Sequence, residues 1–259
     1  MIHEKVHKGY EAKTVDVYEK ARPSYPKLAT DFIIKTLNLN NNSCVLDMGA
    51  GTGKFTRLLE QYNLNITAVE PVQAMIDKFK EVTPNIKIVE GLSTNIPLSN
   101  NSIDAIFCAQ CFHWFATEET LKEFLRVLKP KGALVLIWTQ YDFSCEWLNK
   151  LSLMTDKYRN DTPQFKTGKW IDIFNTTKYF KELTKMSFKD YDLDNFVNKQ
   201  HIWDRVLSVS FISCLSKKEQ ESLQKEIYEM LEKENSDFAN GRETTLMKYC
   251  TYLYWSFPL

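Results

Sequence analysis

Glycine is scarce in this chain, net charge is absent, and no long hydrophobic run occurs. Each shortage excludes something. With 33 basic and 33 acidic residues, the surface is not one built for generic binding to nucleic acid or anionic membrane. The longest compact apolar run, Ala133 to Trp138, has the length of a buried strand and falls far short of a spanning helix, so no membrane partner is expected. The opening Met1-Ile2-His3-Glu4-Lys5 lacks the apolar core of a secretory signal. Six cysteines, at 44, 108, 111, 145, 214 and 250, are scattered among apolar neighbours, which predicts a reduced, cytoplasmic setting rather than a disulfide framework. Cys108 and Cys111 make a lone C-x-x-C without a second pair for zinc or a thioredoxin-like context, and no metal is expected. His3 and His7 stand in a polar leader and are discounted as ligands. Internal repeats and a second nucleotide-binding pattern are also missing.

Against that scarcity, three of the eight glycines fall within five residues. They occur in Cys44-Val45-Leu46-Asp47-Met48-Gly49-Ala50-Gly51-Thr52-Gly53-Lys54-Phe55-Thr56, where an apolar strand runs into a turn that opens a helix. Glycine at alternate positions means that backbone comes close to something a side chain would obstruct. A nucleotide-like cofactor fits that place.

The rest of the chain supplies the frame. A leader over 1–27 holds a short helix over 11–20, stopped by Pro23 and Pro26, and a second helix follows over 28–37. Phe55, Leu58, Leu59 and Tyr62 recur at i, i+3, i+4 and i+7, one helical face. Strands are expected over 44–48, 65–69, 86–89, 103–109 and 133–138. Between them lie a helix carrying Val72, Met75, Ile76 and Phe79, and another capped by Thr117 and ended by Pro130 and Gly132. Strands that are continuous apolar runs, alternating with helices, predict a parallel sheet covered on both faces, and right-handed crossovers make it doubly wound. Beyond 140 the rhythm changes. A helix over 145–158, an irregular stretch over 160–180, a sixth strand over 183–191 and a helical stretch over 196–215 are expected. A capping box at Ser216 to Glu219 then opens a helix striped by Leu223, Ile227, Met230 and Leu231. A final strand covers 246–257.

In such a sheet, ligands bind beyond the carboxyl ends of the strands at the switch point. Those ends carry Asp47 and the glycine turn, Glu70, the Leu92-Ser93-Thr94 loop, and Gln110 to Trp114. Glu70 closes the second strand 17 residues after Gly53, where a carboxylate can accept both hydroxyls of an adenosine ribose. A dinucleotide fingerprint has G-x-G-x-x-G spacing and leaves the helix N-terminus free for pyrophosphate. Here the spacing is 49-51-53, and Asp47 just before the turn would repel a pyrophosphate but suits the ammonium of a methionine moiety. S-adenosyl-L-methionine is therefore favoured over NAD. A hydride-site Tyr-x-x-x-Lys is also missing.

Val45 to Gly53 resembles motif I of the class I S-adenosylmethionine-dependent methyltransferases. The likeness covers roughly residues 44–138. Tyr18 with Arg22-Pro23-Ser24-Tyr25-Pro26, and Gln110-Cys111-Phe112-His113-Trp114-Phe115, resemble the trans-aconitate methyltransferase-like subgroup. The resemblance implies an α/β, doubly wound, Rossmann-like sheet of seven strands, mostly parallel with an antiparallel last strand, plus helical lid insertions. It implies one domain over 1–259: an arm to 27, a cofactor-binding core over 28–140, a mainly helical lid over 141–245, and the final strand. It also implies that Asp47, Gly49, Ala50, Gly51 and Gly53 cradle the methionine part, Glu70 the ribose, and Leu92 and Ser93 the adenine, with Gln110 beside the sulfonium. The family often has an acidic residue where Thr94 stands, but that loop can make its contacts through backbone.

The implied activity is methyl transfer to a small-molecule acceptor, an organic acid carboxylate being one candidate. Tyr18, Arg22, Tyr25, His113 and Trp114 are the acceptor-side residues, and His113 serves as either a base or an orienting donor. The alternative is a binding protein that holds the cofactor without turnover, since binding alone does not establish turnover. The oligomeric state stays open.

Overall fold

The computed structural model of the protein describes residues 12–189, 193 and 195–259; His3 and His7 lie outside them, as do residues 190 and 191 of the expected sixth strand. Seven strands form the main sheet: β1 Cys44–Met48, β2 Asn65–Glu70, β3 Lys87–Glu90, β4 Ile103–Ala109, β5 Leu128–Tyr141, β6 Thr184–Lys189 and β9 Tyr249–Ser256. Their order is β3-β2-β1-β4-β5-β9-β6. β9 inserts between β5 and β6 and runs antiparallel to both, with Leu136 opposite Tyr254 and Ser187 opposite Tyr252. The pairs joining β3, β2, β1, β4 and β5 are parallel. This is the expected doubly wound sheet.

Alternate residues of the central strands feed two apolar layers, as the two-residue period requires. Leu46, Met48, Ile106, Cys108, Leu134, Leu136 and Trp138 pack on one face against Leu121, Phe124 and Val127. Val45, Phe107, Val135, Ile137 and Leu253 pack on the other against Ile33, Phe55 and Leu59. A third apolar cluster lies outside the sheet, where Leu148 and Leu151 meet Ile202, Val206, Leu223, Ile227 and Leu231. The high aromatic content has a specific home. Trp138 is fully buried and stacks 4.7 Å from Phe165 and 4.5 Å from Trp170.

Local signals beyond the core mostly meet their expected roles. Thr117 accepts from the Thr120 amide at the start of Glu118–Val127, and Ser216 forms both halves of its capping box. Three boundaries differ. The Thr117-capped helix ends at Val127, before Pro130 and Gly132, because Leu128 already pairs with Ile103 and the register then shifts before Ala105 meets Ala133. Pro130 and Gly132 thus sit in an irregular entry to β5, a tolerated place for proline in a sheet. The helical stretch expected over 196–215 begins instead with a strand, β7 Asn195–Val197, and Asn198 then caps the helix Lys199–Leu207. The partner of β7 is β8 Thr245–Met247, which removes Leu246 and Met247 from the expected final strand and leaves β9 to start at Tyr249.

The N-terminal helix Ala12–Ala21 is docked. Val15 packs on Val72 and Met75, Asp16 pairs with Lys78 at 2.8 Å, and Glu19 accepts from Arg57 at 2.6 Å. Beyond its end, Arg22 donates from Nε and Nη2 to the hydroxyl and carbonyl of Ser208, both at 2.9 Å. One short segment therefore ties the sheet's helices to Lys199–Leu207.

Gly53 starts the helix Lys54–Glu60 at φ +83°, and a Cβ there would stand 2.8 Å from Thr83 Oγ1 and 2.9 Å from the Phe79 ring. Left-handed strain and overpacking add. Gly53→Ala is expected to destabilise the protein by about 2–4 kcal/mol in urea denaturation; a loss below about 1 kcal/mol would contradict the packing given for this turn.

Candidate active site

The ends of β1, β2 and β4 enclose a cavity of about 520 Å³, a size typical of small-molecule sites. Its wall includes Gly49, Gly51, Glu70, Leu92, Ser93 and Gln110, residues drawn from four separate strand ends. The turn that begins it is tightly held. The Gly49 and Ala50 amides both donate to Val69 O, at 2.8 and 3.2 Å. Gly49 has φ +69°, and a Cβ on it would stand 3.0 Å from Cys111; the Cys111 thiol in turn donates to Met48 O at 3.0 Å. Gly51 differs. Its φ is +57°, yet a Cβ would meet nothing within 4 Å. Packing therefore does not demand glycine at 51, but a side chain there would project into open space beside the cavity.

Glu70 joins the turn to β2. Its Oε2 accepts from the Gly51 amide at 2.9 Å and its Oε1 from the Val72 amide at 3.0 Å. Each carboxylate oxygen keeps a further lone pair for a ligand hydroxyl. Burial raises the Glu70 pKa to about 7, against the lowering effect of those two amides. Asp47 is wholly buried beneath the turn and does not line the cavity. One oxygen accepts from Thr56 at 2.5 Å, while Oδ1 is buried without a hydrogen bond. Burial raises the Asp47 pKa to about 7 as well. Ala50 lines a small recess toward Tyr25 and Arg22, and Gly53 packs on Phe79 away from the cavity.

Gln110 stands at φ +62°, unusual for a residue with a side chain. Its amide donates to Ile137 O at 2.8 Å, and its side chain donates to Thr139 O at 2.5 Å. Those bonds to β5 hold the strained backbone. Ser93 is buried and exchanges a hydrogen bond with Thr120 at 3.0 Å.

A second cavity, about 90 Å³, adjoins the first and shares Tyr18, Gln110 and Trp114 with it. Arg22, His113, Lys166 and Arg205 also line it. The Arg22 guanidinium lies 5.1 Å from the Tyr18 ring centre, and that of Arg205 lies 5.2 Å from Tyr141. His113 Nδ1 accepts from Trp138 Nε1 at 3.1 Å, and burial, aided by Arg22, holds its pKa down to about 3. Tyr25 is not on this wall; it is buried edge-on against Phe55, 5.1 Å between centres. Sequence reasoning missed Arg205, Lys166 and the floor residues Pro71 and Met75. Arg205 did leave a trace, because it shares a helix face with the buried Ile202 and Val206, an odd place for a cation.

The cavity fits an adenosyl cofactor on two observations: the open space over Gly51 and the accepting lone pairs left on Glu70. Among the described residues no group of three His, Cys, Asp or Glu side chains is placed to hold a metal.

Comparison with known proteins gives the following. Residues 46–136 match the family described as a methyltransferase domain. An uncharacterized methyltransferase-like protein of Schizosaccharomyces pombe is 36% identical over 214 residues, 82% of each chain. Among solved structures, a candidate type II methyltransferase of Anaeromyxobacter dehalogenans superposes with TM-score 0.64 at 16% identity, over 92% of this chain and 97% of that one. A Haemonchus contortus phosphoethanolamine N-methyltransferase, in complex with phosphomonomethylethanolamine and S-adenosylhomocysteine, gives TM-score 0.57 at 13% identity, over 96% of this chain and 57% of that one.

Two outcomes follow from the buried carboxylates and the turn. Both carboxylates bind protons more tightly folded than unfolded, so their contribution to the stability of the ligand-free protein should fall as pH rises from about 4 to about 7, opposed by the buried neutral His113. Removing the Glu70 share in Glu70→Gln should therefore make stability fall less, or rise more, across that window than in wild type in urea titrations; a difference of the opposite sign would refute the assignment. Gly51→Ala should cost about 1–2 kcal/mol in left-handed strain yet weaken S-adenosylhomocysteine binding at least tenfold by calorimetry. Unchanged affinity would remove Gly51 from the binding surface.

Proposed function

We propose, for a chain that belongs to the class I S-adenosylmethionine-dependent methyltransferases, that the methyl acceptor is a small organic acid taken as its carboxylate. The observation that carries this reading is the charge of the second cavity. Arg22, Lys166 and Arg205 line it, and no Asp or Glu stands among its described lining residues. Lys166 is paired with Asp156 and bonded to Ser152, which leaves the two guanidinium groups as the main source of positive potential. The planar guanidinium of arginine is suited to bidentate recognition of a carboxylate. The likeness of Tyr18, Arg22 to Tyr25, and Gln110 to Phe115 to the trans-aconitate methyltransferase-like subgroup supports the same class.

When bound, the cofactor would supply a sulfonium methyl already activated for transfer to an ionised acceptor oxygen, with the thioether as leaving group. The chain's own residues bind, align and dry the reactants. Glu70 and the 49–51 turn hold the adenosine and methionine parts. Leu92 and Ser93 flank the base, and Tyr18, Gln110 and Trp114 form the passage between the two cavities. The arm and the helices beyond β5 serve as the acceptor-side lid, with Arg22 and Ser208 joining them. A carboxylate is ionised at neutral pH and needs no base from the protein.

This reading extends to a reducing, cytoplasmic setting, supported by the scattered cysteines. Among the described residues no helix is long and apolar enough to cross a membrane. Nucleic acid is not the expected partner, since the charge is balanced.

Incubation with methyl-labelled cofactor and a panel of organic acids, phenols and amines tests the acceptor class. Label is expected in base-labile esters of acids. Exclusive labelling of phenols or amines would overturn the proposal. Arg205→Gln should lower kcat/KM for the acid about 10- to 100-fold, the scale of one charge-assisted hydrogen bond, while cofactor affinity is retained.

A further inference from the structure

We infer that Trp138 is a positioning residue that fixes His113 as a neutral donor through Nε2–H, so that His113 orients the acceptor and takes no proton from it. The argument begins with the indole. An indole nitrogen can only donate, Trp138 is fully buried, and its Nε1 is bonded to His113 Nδ1 at 3.1 Å. That bond requires Nδ1 to be bare. The opposite ring orientation would leave a buried N–H facing carbon, a costly loss. Neutral imidazole carries one ring proton, so it resides on Nε2.

Neither nitrogen is then available as a base. Nδ1 is occupied by the indole, and Nε2 already holds hydrogen. Nε2 has no partner among the described residues, and the imidazole stands in the wall of two cavities, the 90 Å³ one and another of about 210 Å³ on its other side. Cations face it from both: Arg22, Arg205 and Lys166 in the first, Arg159 and Lys169 in the second, with Asp161 as the second cavity's acid. A positive charge on the ring is disfavoured in that company, and an N–H donor suits an anion held there. Trp138 is itself immobilised, stacked by Phe165 and Trp170, so its N–H cannot swing away. His113 would hold the carboxylate oxygen that does not attack. That last statement rests on the carboxylate reading above; the tautomer does not.

The test uses the full-length protein labelled with ¹⁵N-histidine. Long-range ¹H–¹⁵N correlations, with the His113 signal identified by its loss in His113→Gln, should show the Nε2–H form from pH 5 to 8 without titration. An Nδ1–H pattern, or a midpoint near 6.5, would overturn the inference. Trp138→Phe keeps a stacking ring but removes the donor. It should mix the two tautomers and raise the ring's midpoint by at least one pH unit; an unchanged tautomer would overturn the role of Trp138. The wild-type spectrum decides the question even where that variant does not fold. With the acid acceptor in hand, His113→Gln, which retains an N–H donor, should keep kcat within about tenfold of wild type, while His113→Ala falls well below it. Equal loss in both would restore a base and refute the donor role. If no acid is methylated but the Nε2–H form is found, the acceptor reading falls and the tautomer assignment stands.

Discussion

The site depends on one contact, the carboxylate of Glu70 bridging the amides of Gly51 and Val72. It fastens the turn after β1 to the end of β2, beside the β1–β4 junction where the order of strands reverses. Without it, the Gly51 amide would lose its carboxylate partner at the cavity wall, and the turn its tether to the end of β2. The contact is made in a dry place, so it carries an electrostatic penalty. Burial lifts both Glu70 and the nearby Asp47 toward neutrality. A ligand hydroxyl donating to Glu70 would offset part of that penalty at the cavity wall, whereas Asp47 stays beneath the turn.

The three glycines of the turn show how one motif serves three physical needs. Gly49 makes room for Cys111, which brings the end of β4 against the end of β1. Gly53 makes room for Phe79 and Thr83, which seats the helix Lys54–Glu60. Gly51 alone faces open space. The 49-51-53 spacing therefore joins two packing requirements to one position, Gly51, that packing leaves free.

Legibility in the sequence follows the range of the forces involved. The apolar runs of β1, β2 and β4 and the helix faces between them were readable because each depends on local periodicity. So were Glu70 and the turn, whose spacing along the chain is fixed by a strand–turn–helix unit. What lay hidden depends on contacts between distant segments. Phe196 and Leu246 read as parts of a helix and a terminal strand, and only their mutual pairing makes them a separate ribbon. The long β5 begins at Leu128 because Ile103 waits beside it. Tyr25 read as an acceptor-side residue from its place in the arm, but Phe55 claims it for the core. Arg205 left only the trace of a cation on an apolar helix face; nothing near it in the sequence says that Tyr141 packs on it.

The arm shows how these levels combine. Its helix is short and would be marginal alone, yet it is anchored by Val15 on an apolar patch and by charge pairs to two helices of the sheet. Those anchors place Tyr18 on the wall of both cavities and Arg22 on the wall of the second. Arg22 then reaches Ser208, so the arm also sets the distance to the helix bearing Arg205. The apolar contacts of Val15 and the bonds of Glu19 thus hold the arm to the sheet, while a polar joint, not an apolar one, ties it to the helix beyond.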